Sequence, residues 1–218
     1  MEGGIEAVAF DLGQVLVRVH LDAGLWPALI QAGGGDPSDI SRLRENDLLV
    51  AFDCGHLDPL QFHQAFQDRT GIRMGFVEFA SRWCDVFSPM PGMEDLVEDL
   101  ATAGIRLGGL SDTDPLHFPW CQRHFPAVRR IPAWVVSYEV GAMKPDPRLY
   151  RALVEALEVP PERILFVDDL ERNVNGAREH GIQGFCFTGV ERLRQHLEER
   201  GIRFVQRGGR DSNPRPLA

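Results

Sequence analysis

The feature that most constrains this chain is a regular alternation of short apolar runs with amphipathic stretches. The apolar runs, which predict strands, lie at 5–10, 105–110, 133–137, 163–169 and 182–187. The helical patterns between and after them lie at 92–103, 114–124, 146–157, 171–180 and 190–200. Strands that alternate with helices of this length predict a parallel sheet covered on both faces. The predicted fold class is therefore α/β, with a Rossmann-like core.

Residues 18–88 interrupt this alternation and predict a small helical domain inserted after the first strand. Their amphipathic patterns lie at about 22–32, 38–53, 58–71 and 75–86, and they predict helices without any strand. We therefore expect a core formed by 1–17 and 89–206, with a helical insertion at 18–88. The tail at 207–218 has no apolar periodicity and is predicted to be disordered.

Composition excludes several classes of function. The chain has 32 acidic and 23 basic residues, and its net charge of -9 argues against a binder of nucleic acids or anionic membranes. No apolar run reaches the roughly 18 residues that span a bilayer, and the N-terminus lacks the pattern of a signal peptide. The four cysteines have no paired spacing and are expected to be free thiols. We expect a cytoplasmic monomer or homodimer.

Lys144 stands out because it is the single lysine in a chain with 22 arginines. Arginine and lysine are interchangeable on a solvated surface, but a compact ammonium differs from a planar guanidinium in a tight site. Chance is the alternative explanation, since one lysine can lie anywhere. The contrast nevertheless makes Lys144 a candidate functional residue.

Polar residues that suit phosphate chemistry follow the predicted strands. They are Asp11, Ser111, Asp112, Lys144, Asp168 and Asp169. Ligands of open α/β sheets bind beyond the carboxyl ends of the strands. Converging carboxylates favour a hard cation such as Mg²⁺, and an ammonium with a hydroxyl beside it suits a phosphate. Each residue alone would be read as a helix cap or loop residue, but the set in this order predicts phosphoryl transfer.

Four segments resemble the signature motifs of the haloacid dehalogenase-like hydrolases. They are FDLGQVL (10–16), LSDTD (110–114), GAMKPDP (141–147) and FVDDLERNVNGAREHG (166–181). The resemblance runs from about 5 to 188, and the helical insertion resembles the cap domain of the subclass with a cap after the first motif. The most similar subgroup consists of bacterial sugar-phosphate phosphatases, for which α-glucose-1-phosphate is a known type of substrate. A small phosphate ester is therefore the expected partner.

The resemblance implies a role for each residue of the acidic cluster. Asp11 would attack phosphorus and form an aspartyl-phosphate. The Asp11 carboxylate and the backbone carbonyl of Gly13 would bind Mg²⁺. Asp169 would ligate the ion directly, with Asp168 beside it. Asn173 would support this acidic loop from the following helix.

The resemblance also implies which residues bind the substrate. Ser111 and Lys144 would hold the phosphoryl oxygens. Asp112 stands where the subgroup has an asparagine, next to the phosphate. Asp53, in the turn 52–58 between two cap helices, would face the substrate, for example through a sugar hydroxyl. The alternative for Asp53 is that it only caps a helix.

Gly13 is the main departure from the family pattern. Most phosphatases of the family have there an aspartate that acts as general acid and base. Without it, the chain is expected to favour esters whose leaving group needs little protonation, and to hydrolyse its aspartyl-phosphate slowly.

Three other functions compete with a phosphatase. Gly13 and Asp112 motivate a catalytically weak or inactive relative that binds a phosphorylated ligand or a partner. A phospho-acceptor receiver domain uses similar residues, but the order along the chain differs. A haloacid dehalogenase works without Mg²⁺, and the Asp168–Asp169 pair disfavours it.

Overall fold

The computed structural model describes residues 4–34 and 47–204. Its strands, in chain order, are β1 (Ala7–Phe10), β2 (Val17–Val19), β3 (Phe87–Pro89), β4 (Arg106–Ser111), β5 (Ala133–Val136), β6 (Ile164–Asp168) and β7 (Gln183–Cys186). Five of them form one parallel sheet in the order β5-β4-β1-β6-β7. The predicted α/β fold class is confirmed.

The helices pack around this sheet and in the segment between β2 and β3. In chain order they are α1 (Trp26–Gly33), α2 (Leu48–Asp53), α3 (Pro59–Thr70), α4 (Phe76–Cys84), α5 (Met93–Thr102), α6 (His117–His124), α7 (Pro126–Arg130), α8 (Ser137–Val140), α9 (Pro147–Leu157), α10 (Glu171–Glu179) and α11 (Val190–Glu199). A π-helical turn (Leu21–Leu25) precedes α1, and a 3₁₀ turn (Pro161–Arg163) precedes β6.

The central strand β1 is apolar throughout because it is covered on both sides. Its four residues are fully buried. Val8 and Phe10 belong to the apolar cluster on one face of the sheet, whereas Ala7 and Ala9 belong to the cluster on the other face. This split follows from the two-residue period of side chains along a strand. The burial fixes β1 in the middle of the sheet and places Asp11 at the centre of its carboxyl edge.

The helical segment between β2 and β3 has an apolar cluster of its own. Phe62 lies at its centre, stacked on Phe52 with ring centroids 3.9 Å apart, and its ring contacts Trp83 at 5.0 Å. Helix α3 begins with a capping box, in which Asp58 accepts the N–H groups of Leu60 and Gln61. We call residues 20–86 the helical module. The predicted division into domains at 18 and 88 stays a prediction.

One expectation about the helical module is wrong: two short strands flank it. β2 and β3 pair antiparallel, with Arg18 opposite Ser88. Each strand has three residues, too few for an alternating pattern, and the pairing joins distant parts of the chain. Only tertiary contact creates this ribbon, and the predicted boundaries at 18 and 88 fall inside it.

Other expectations lie partly or wholly outside the described residues. The predicted helix at 38–53 is described only from Leu48, and the tail at 207–218 is not described. The four cysteines form no disulfide with one another. Across 4–34 and 47–204, no helix combines the length and apolarity that crossing a bilayer requires.

Candidate active site

The site lies at the carboxyl edge of the sheet, where β1 and β6 are neighbours. The chain leaves β1 towards β4 on one side, whereas β6 connects to β7 on the other side. Such a reversal opens a crevice at the strand ends. Asp11 follows β1, Asp168 is the last residue of β6 and Asp169 comes next. The sheet topology therefore brings together the first and fourth motifs, which are about 150 residues apart in the sequence.

Lys144 joins the two carboxylates that face each other across this crevice. Its Nζ lies 2.8 Å from Oδ1 of Asp11 and 2.7 Å from Oδ2 of Asp168. Nζ also donates to the carbonyl of Leu110 over 3.3 Å. The side chain is buried, and despite that burial the neighbouring carboxylates raise the pKa of Lys144 above its usual range. All three ammonium protons thus have acceptors, and the position requires a permanent compact cation.

Three protein donors hold the carboxylate of Asp168. Oδ1 accepts from the backbone N–H of Leu170 and from Nδ2 of Asn173, at 2.8 and 3.0 Å. Oδ2 accepts from Lys144 and, at 3.1 Å, from Nδ2 of Asn173. A carboxylate offers about four lone-pair directions, and three protein donors contact Asp168, which leaves it capacity for a further ligand. The same three donors fix its orientation beside Asp169.

A candidate cation site is formed by Asp11, Asp168 and Asp169. One carboxylate oxygen of each lies within 4.8 Å of the others. Burial raises the pKa of Asp11 to about 7, although Lys144 opposes the shift, and the Asp168 charge adds to it. Burial and the same charge also raise the pKa of Asp169. Three crowded carboxylates with a single ammonium leave an excess of negative charge, which a hard divalent cation would relieve.

A buried amide oxygen also fits a cation site. Oδ1 of Asn173 is buried and has no hydrogen-bond partner among the described residues, while Nδ2 of the same amide is held by Asp168. An orphaned buried acceptor is uncommon in native proteins and calls for a donor. Water bound to a cation would be such a donor. The donor set of oxygens, without sulfur or imidazole, suits Mg²⁺.

Ser111 and Asp112 lie in the loop that follows β4. Ser111 is buried, and its Oγ contacts the carbonyl of Asp112 over 3.3 Å, a long bond that leaves the hydroxyl able to rotate to a closer acceptor. Oδ1 of Asp112 accepts the backbone N–H of Lys144 at 2.9 Å. Asp112 thus fixes the lysine loop to the loop after β4, a structural contact that the sequence did not suggest.

Gly13 lies in a tight turn two residues after Asp11. The N–H of Gln14 donates to the carbonyl of Val17, and Gln14 has a φ of 56°. The backbone of Gly13 itself is outside the left-handed region, and a Cβ at this position would lie 3.3 Å from Cγ2 of Val19. A side chain is therefore compatible with the backbone here, with a small shift of Val19.

Asp53 is the last residue of α2 and lies near the loop after β4. Its carboxyl makes no hydrogen bond with any residue that the structure describes, and the next helix is capped by Asp58, so the alternative of a helix cap gains no support. Burial raises the pKa of Asp53 to about 7, Asp114 and Asp112 add to the shift, and His117 opposes it. Two residues later, Gly55 has a φ of 71°, and a Cβ there would lie 2.1 Å from the carbonyl oxygen of Tyr138. The turn after α2 thus packs closely against the backbone of Tyr138 in α8.

Sequence reasoning missed the residues that hold the loop after β4. Oγ of Ser137 accepts from the N–H of Thr113 and donates to its carbonyl, both at 2.9 Å. Asp114 accepts from Nε1 of Trp83 at 3.0 Å and pairs with His117 at 2.7 Å. The only sequence signal was the spacing of Asp114 and His117, which puts both near the start of α6.

Comparison with protein families decides the family. The family model described as "haloacid dehalogenase-like hydrolase" matches residues 5–181, which include the carboxyl ends of β1 and β6 and the helical module. The chain is a haloacid dehalogenase-like hydrolase. The family resemblance predicted from the four motifs is confirmed.

Relatives of this chain include a protein of similar length that is named as a phosphatase. The D-ribitol-5-phosphate phosphatase of Bacteroides thetaiotaomicron is 25% identical over 204 residues, which cover 88% of this chain and 97% of the relative. Protein CbbY of Cereibacter sphaeroides is 31% identical over 152 residues, 64% of this chain and 63% of the relative.

Solved structures show the same fold. A HAD family enzyme from Bacteroides thetaiotaomicron, in complex with magnesium and inorganic phosphate, matches with a TM-score of 0.76 at 21% identity, over 85% of this chain and 96% of that one. L-2-haloacid dehalogenase from Xanthobacter autotrophicus matches with a TM-score of 0.61 at 20% identity, over 89% of this chain and 83% of that one.

Proposed function

We propose that this hydrolase is a Mg²⁺-dependent phosphatase that acts on a small phosphorylated metabolite, and that this metabolite is a sugar phosphate or a polyol phosphate. The observation that carries the proposal is the arrangement around Lys144, which bonds Asp11 and Asp168 while Asp169 stays available beside them. The relative that hydrolyses D-ribitol-5-phosphate supports a polyol-like leaving group.

In the proposed reaction, a carboxylate oxygen of Asp11 attacks phosphorus. The bond between phosphorus and the ester oxygen breaks, the leaving oxygen takes a proton from solvent because Gly13 supplies none, and an aspartyl-phosphate remains on Asp11. Water then attacks that phosphorus, inorganic phosphate is released and the Asp11 carboxylate is restored. Lys144 fixes Oδ1 of Asp11 and would place its positive charge beside the phosphoryl group, whose oxygens the hydroxyl of Ser111 would bind.

Asp11, Asp169 and the backbone carbonyl of Gly13 would hold the magnesium ion, and Asp168 would orient them. When bound, the ion would supply positive charge that stabilises the negative charge of the reacting phosphoryl group. Asn173 fixes Asp168 through its amide N–H groups.

A substrate screen tests the proposal. Purified protein is incubated with sugar phosphates, polyol phosphates, p-nitrophenyl phosphate and a 2-haloacid, each with Mg²⁺ and with EDTA. We expect phosphate release that requires Mg²⁺ and no halide release. The control is Asp11→Asn, with its fold checked by circular dichroism.

Halide release without Mg²⁺ would instead identify a dehalogenase. Binding of Mg²⁺ and phosphate without any turnover would identify the non-catalytic relative that Gly13 suggests.

A further inference from the structure

Contacts among three residues, Asp114, His117 and Trp83, attach the helical module to the loop after β4. Oδ2 of Asp114 accepts from Nε1 of Trp83 at 3.0 Å and from Nδ1 of His117 at 2.7 Å. Nε2 of His117 lies 2.8 Å from the carbonyl oxygen of Trp83. The rings of Trp83 and His117 are stacked, with centroids 5.4 Å apart and an interplanar angle of 6°. Helix α4 is thus held at both the indole and the backbone of its tryptophan.

The geometry specifies the protonation state of His117. Its two ring nitrogens face a carboxylate oxygen and a backbone carbonyl oxygen, and neither of these groups can donate at neutral pH. A neutral imidazole has one N–H, so it would leave one of the two contacts without a proton. Only the imidazolium satisfies both. Oδ1 of Asp114, which accepts the N–H groups of Leu116 and His117 at 2.8 Å, holds the carboxylate in place.

The same loop carries the proposed phosphate ligand. Ser111 lies three residues before Asp114, and each residue between them is tied to another element. Asp112 accepts the N–H of Lys144, and Thr113 makes two hydrogen bonds with Ser137. A displacement of Asp114 therefore cannot be absorbed by a loose connection before it reaches Ser111.

We infer that His117, as an imidazolium held by Asp114, is a positioning residue that ties helix α4 of the helical module to the phosphate-binding loop. The inference rests on the proposed function in one respect, the assignment of phosphate as the ligand of this loop. It assigns a task to a histidine and a carboxylate that touch neither the cation site nor the phosphate site.

The charges around His117 favour this state. Burial disfavours the imidazolium, but the charge of Asp114 and the hydrogen bonds to it raise the pKa of His117 above its ordinary value, and Asp53 of the helical module adds to the shift. The pKa of Asp114 is lowered, since the interactions with His117 outweigh burial. Two thiols near Asp114, Cys84 of α4 and Cys121 of α6, have raised pKa values and stay neutral.

The pH range of the attachment follows from these directions. The contribution of His117 is fully present below the ordinary histidine pKa of about 6.5 and is lost as pH rises through the higher pKa of the folded protein. The contribution of Asp114 is present above the ordinary aspartate pKa of about 3.9 and is lost as pH falls through the lower pKa of the folded protein. The attachment is therefore expected to be complete at pH 6 and to weaken in alkaline solution.

Two variants and a matched control test the inference in the full chain. His117→Phe keeps a ring against Trp83 and removes both donors, whereas Asp114→Asn keeps the shape and removes the charge. His124→Phe is the control, because His124 also stacks on a tryptophan, Trp120, and bonds its carbonyl through Nδ1, but it is exposed within α6 of the core.

The first measurement is independent of catalysis. Nitrogen-15 NMR of metal-free wild-type protein should show a histidine with both ring nitrogens protonated at about pH 6.5, the ordinary histidine pKa, and His117→Phe should remove that signal. Hydrogen exchange of the α4 amides should become faster by about tenfold in both variants, a size typical of a residue that couples two elements, and should not change in His124→Phe.

The second measurement concerns positioning. Affinity for inorganic phosphate in the presence of Mg²⁺, measured by calorimetry at pH 7, should fall by about tenfold in His117→Phe. The phosphate affinity of the wild type should decline as pH rises through the raised pKa of His117, and this component of the pH dependence should be absent in His117→Phe.

Three results would overturn the inference. One is a His117 with a single protonated nitrogen at pH 6.5. Another is an unchanged rate of hydrogen exchange at the α4 amides in both variants. If His117→Phe does not fold, the exchange rate of Asp114→Asn alone decides this test. The third is faster α4 exchange with unaltered phosphate affinity, which would make the contact structural only. If the wild-type protein binds phosphate without turnover, the proposed phosphatase activity is refuted. The inference about His117 can then still be tested by all three measurements.

Discussion

The Nζ of Lys144 lies 2.8 Å from Oδ1 of Asp11. This pair joins the single lysine of the chain to the proposed nucleophile, and the same ammonium lies 2.7 Å from Oδ2 of Asp168. Lys144 is buried between these two carboxylates, which excludes the alternative that it is a surface charge placed by chance.

We predict that Lys144→Arg damages activity nearly as much as Lys144→Ala. A planar guanidinium cannot occupy the compact position between two carboxylates and a carbonyl. Both variants should lower kcat/KM by about a hundredfold or more, which corresponds to about 2.7 kcal/mol. Lys144→Ala should also lower stability by about 3–5 kcal/mol, because it leaves buried carboxylates without their partner. Steady-state kinetics and denaturant unfolding measure both effects, and full activity of the arginine variant would contradict the role.

Asp11→Asn should abolish turnover. An amide cannot form the aspartyl-phosphate, so the loss should be at least about 4 kcal/mol of transition-state stabilisation, roughly a thousandfold. The measurement is phosphate release with Mg²⁺, together with mass spectrometry for a phosphorylated protein. A variant that retains substantial activity, or a wild type that remains active in EDTA, would refute the assignment.

Asp53→Asn should change the ranking of substrates and raise stability at alkaline pH. The folded-state pKa of about 7 lies above the ordinary aspartate value, so this carboxyl favours the folded state most at acidic pH. That contribution is lost as pH rises from the unfolded pKa to the folded one. The melting temperature of the variant relative to wild type should therefore increase between pH 5 and pH 8.

The substrate contact of Asp53 is tested separately from stability. Values of KM for several sugar phosphates should change in different proportions, while p-nitrophenyl phosphate, which has no sugar hydroxyls, serves as the reference substrate. An unchanged ranking would exclude the contact.

Gly13→Asp should help poor leaving groups most. The wild type is expected to hydrolyse p-nitrophenyl phosphate with a burst of p-nitrophenol and to be slow on simple alkyl phosphates. The backbone at Gly13 accepts a side chain, since the nearest atom to a Cβ is a methyl group of Val19 at 3.3 Å. The variant should gain about tenfold on alkyl phosphates, less than the roughly 10²–10⁴-fold of an evolved general acid.

Gly13→Ala is the matched control for Gly13→Asp, since it adds the Cβ without the carboxyl. Stopped-flow and steady-state assays on both esters make the comparison. Equal wild-type rates on both esters without a burst would mean that another residue supplies the proton.

The sequence by itself determined the parallel sheet and the set of residues at its carboxyl edge. The apolar run before Asp11 and the run that ends in Asp168 each need burial on both faces, and that requirement places their carboxyl ends together. The capping box at Asp58, which the structure shows, is also local in origin, because it depends on residues three apart in the chain.

Only the tertiary structure decided which group each side chain meets. The residue pattern shows only two adjacent carboxylates, which the family resemblance alone distinguishes, whereas in the structure they differ because Asn173 and Lys144 donate to Asp168. The β2–β3 ribbon and the contact of His117 with Trp83 join segments that are distant along the chain. Such contacts have no local signature in the sequence. They stabilise the protein only after folding has removed both partners from water, when each partner becomes the other's hydrogen-bonding group.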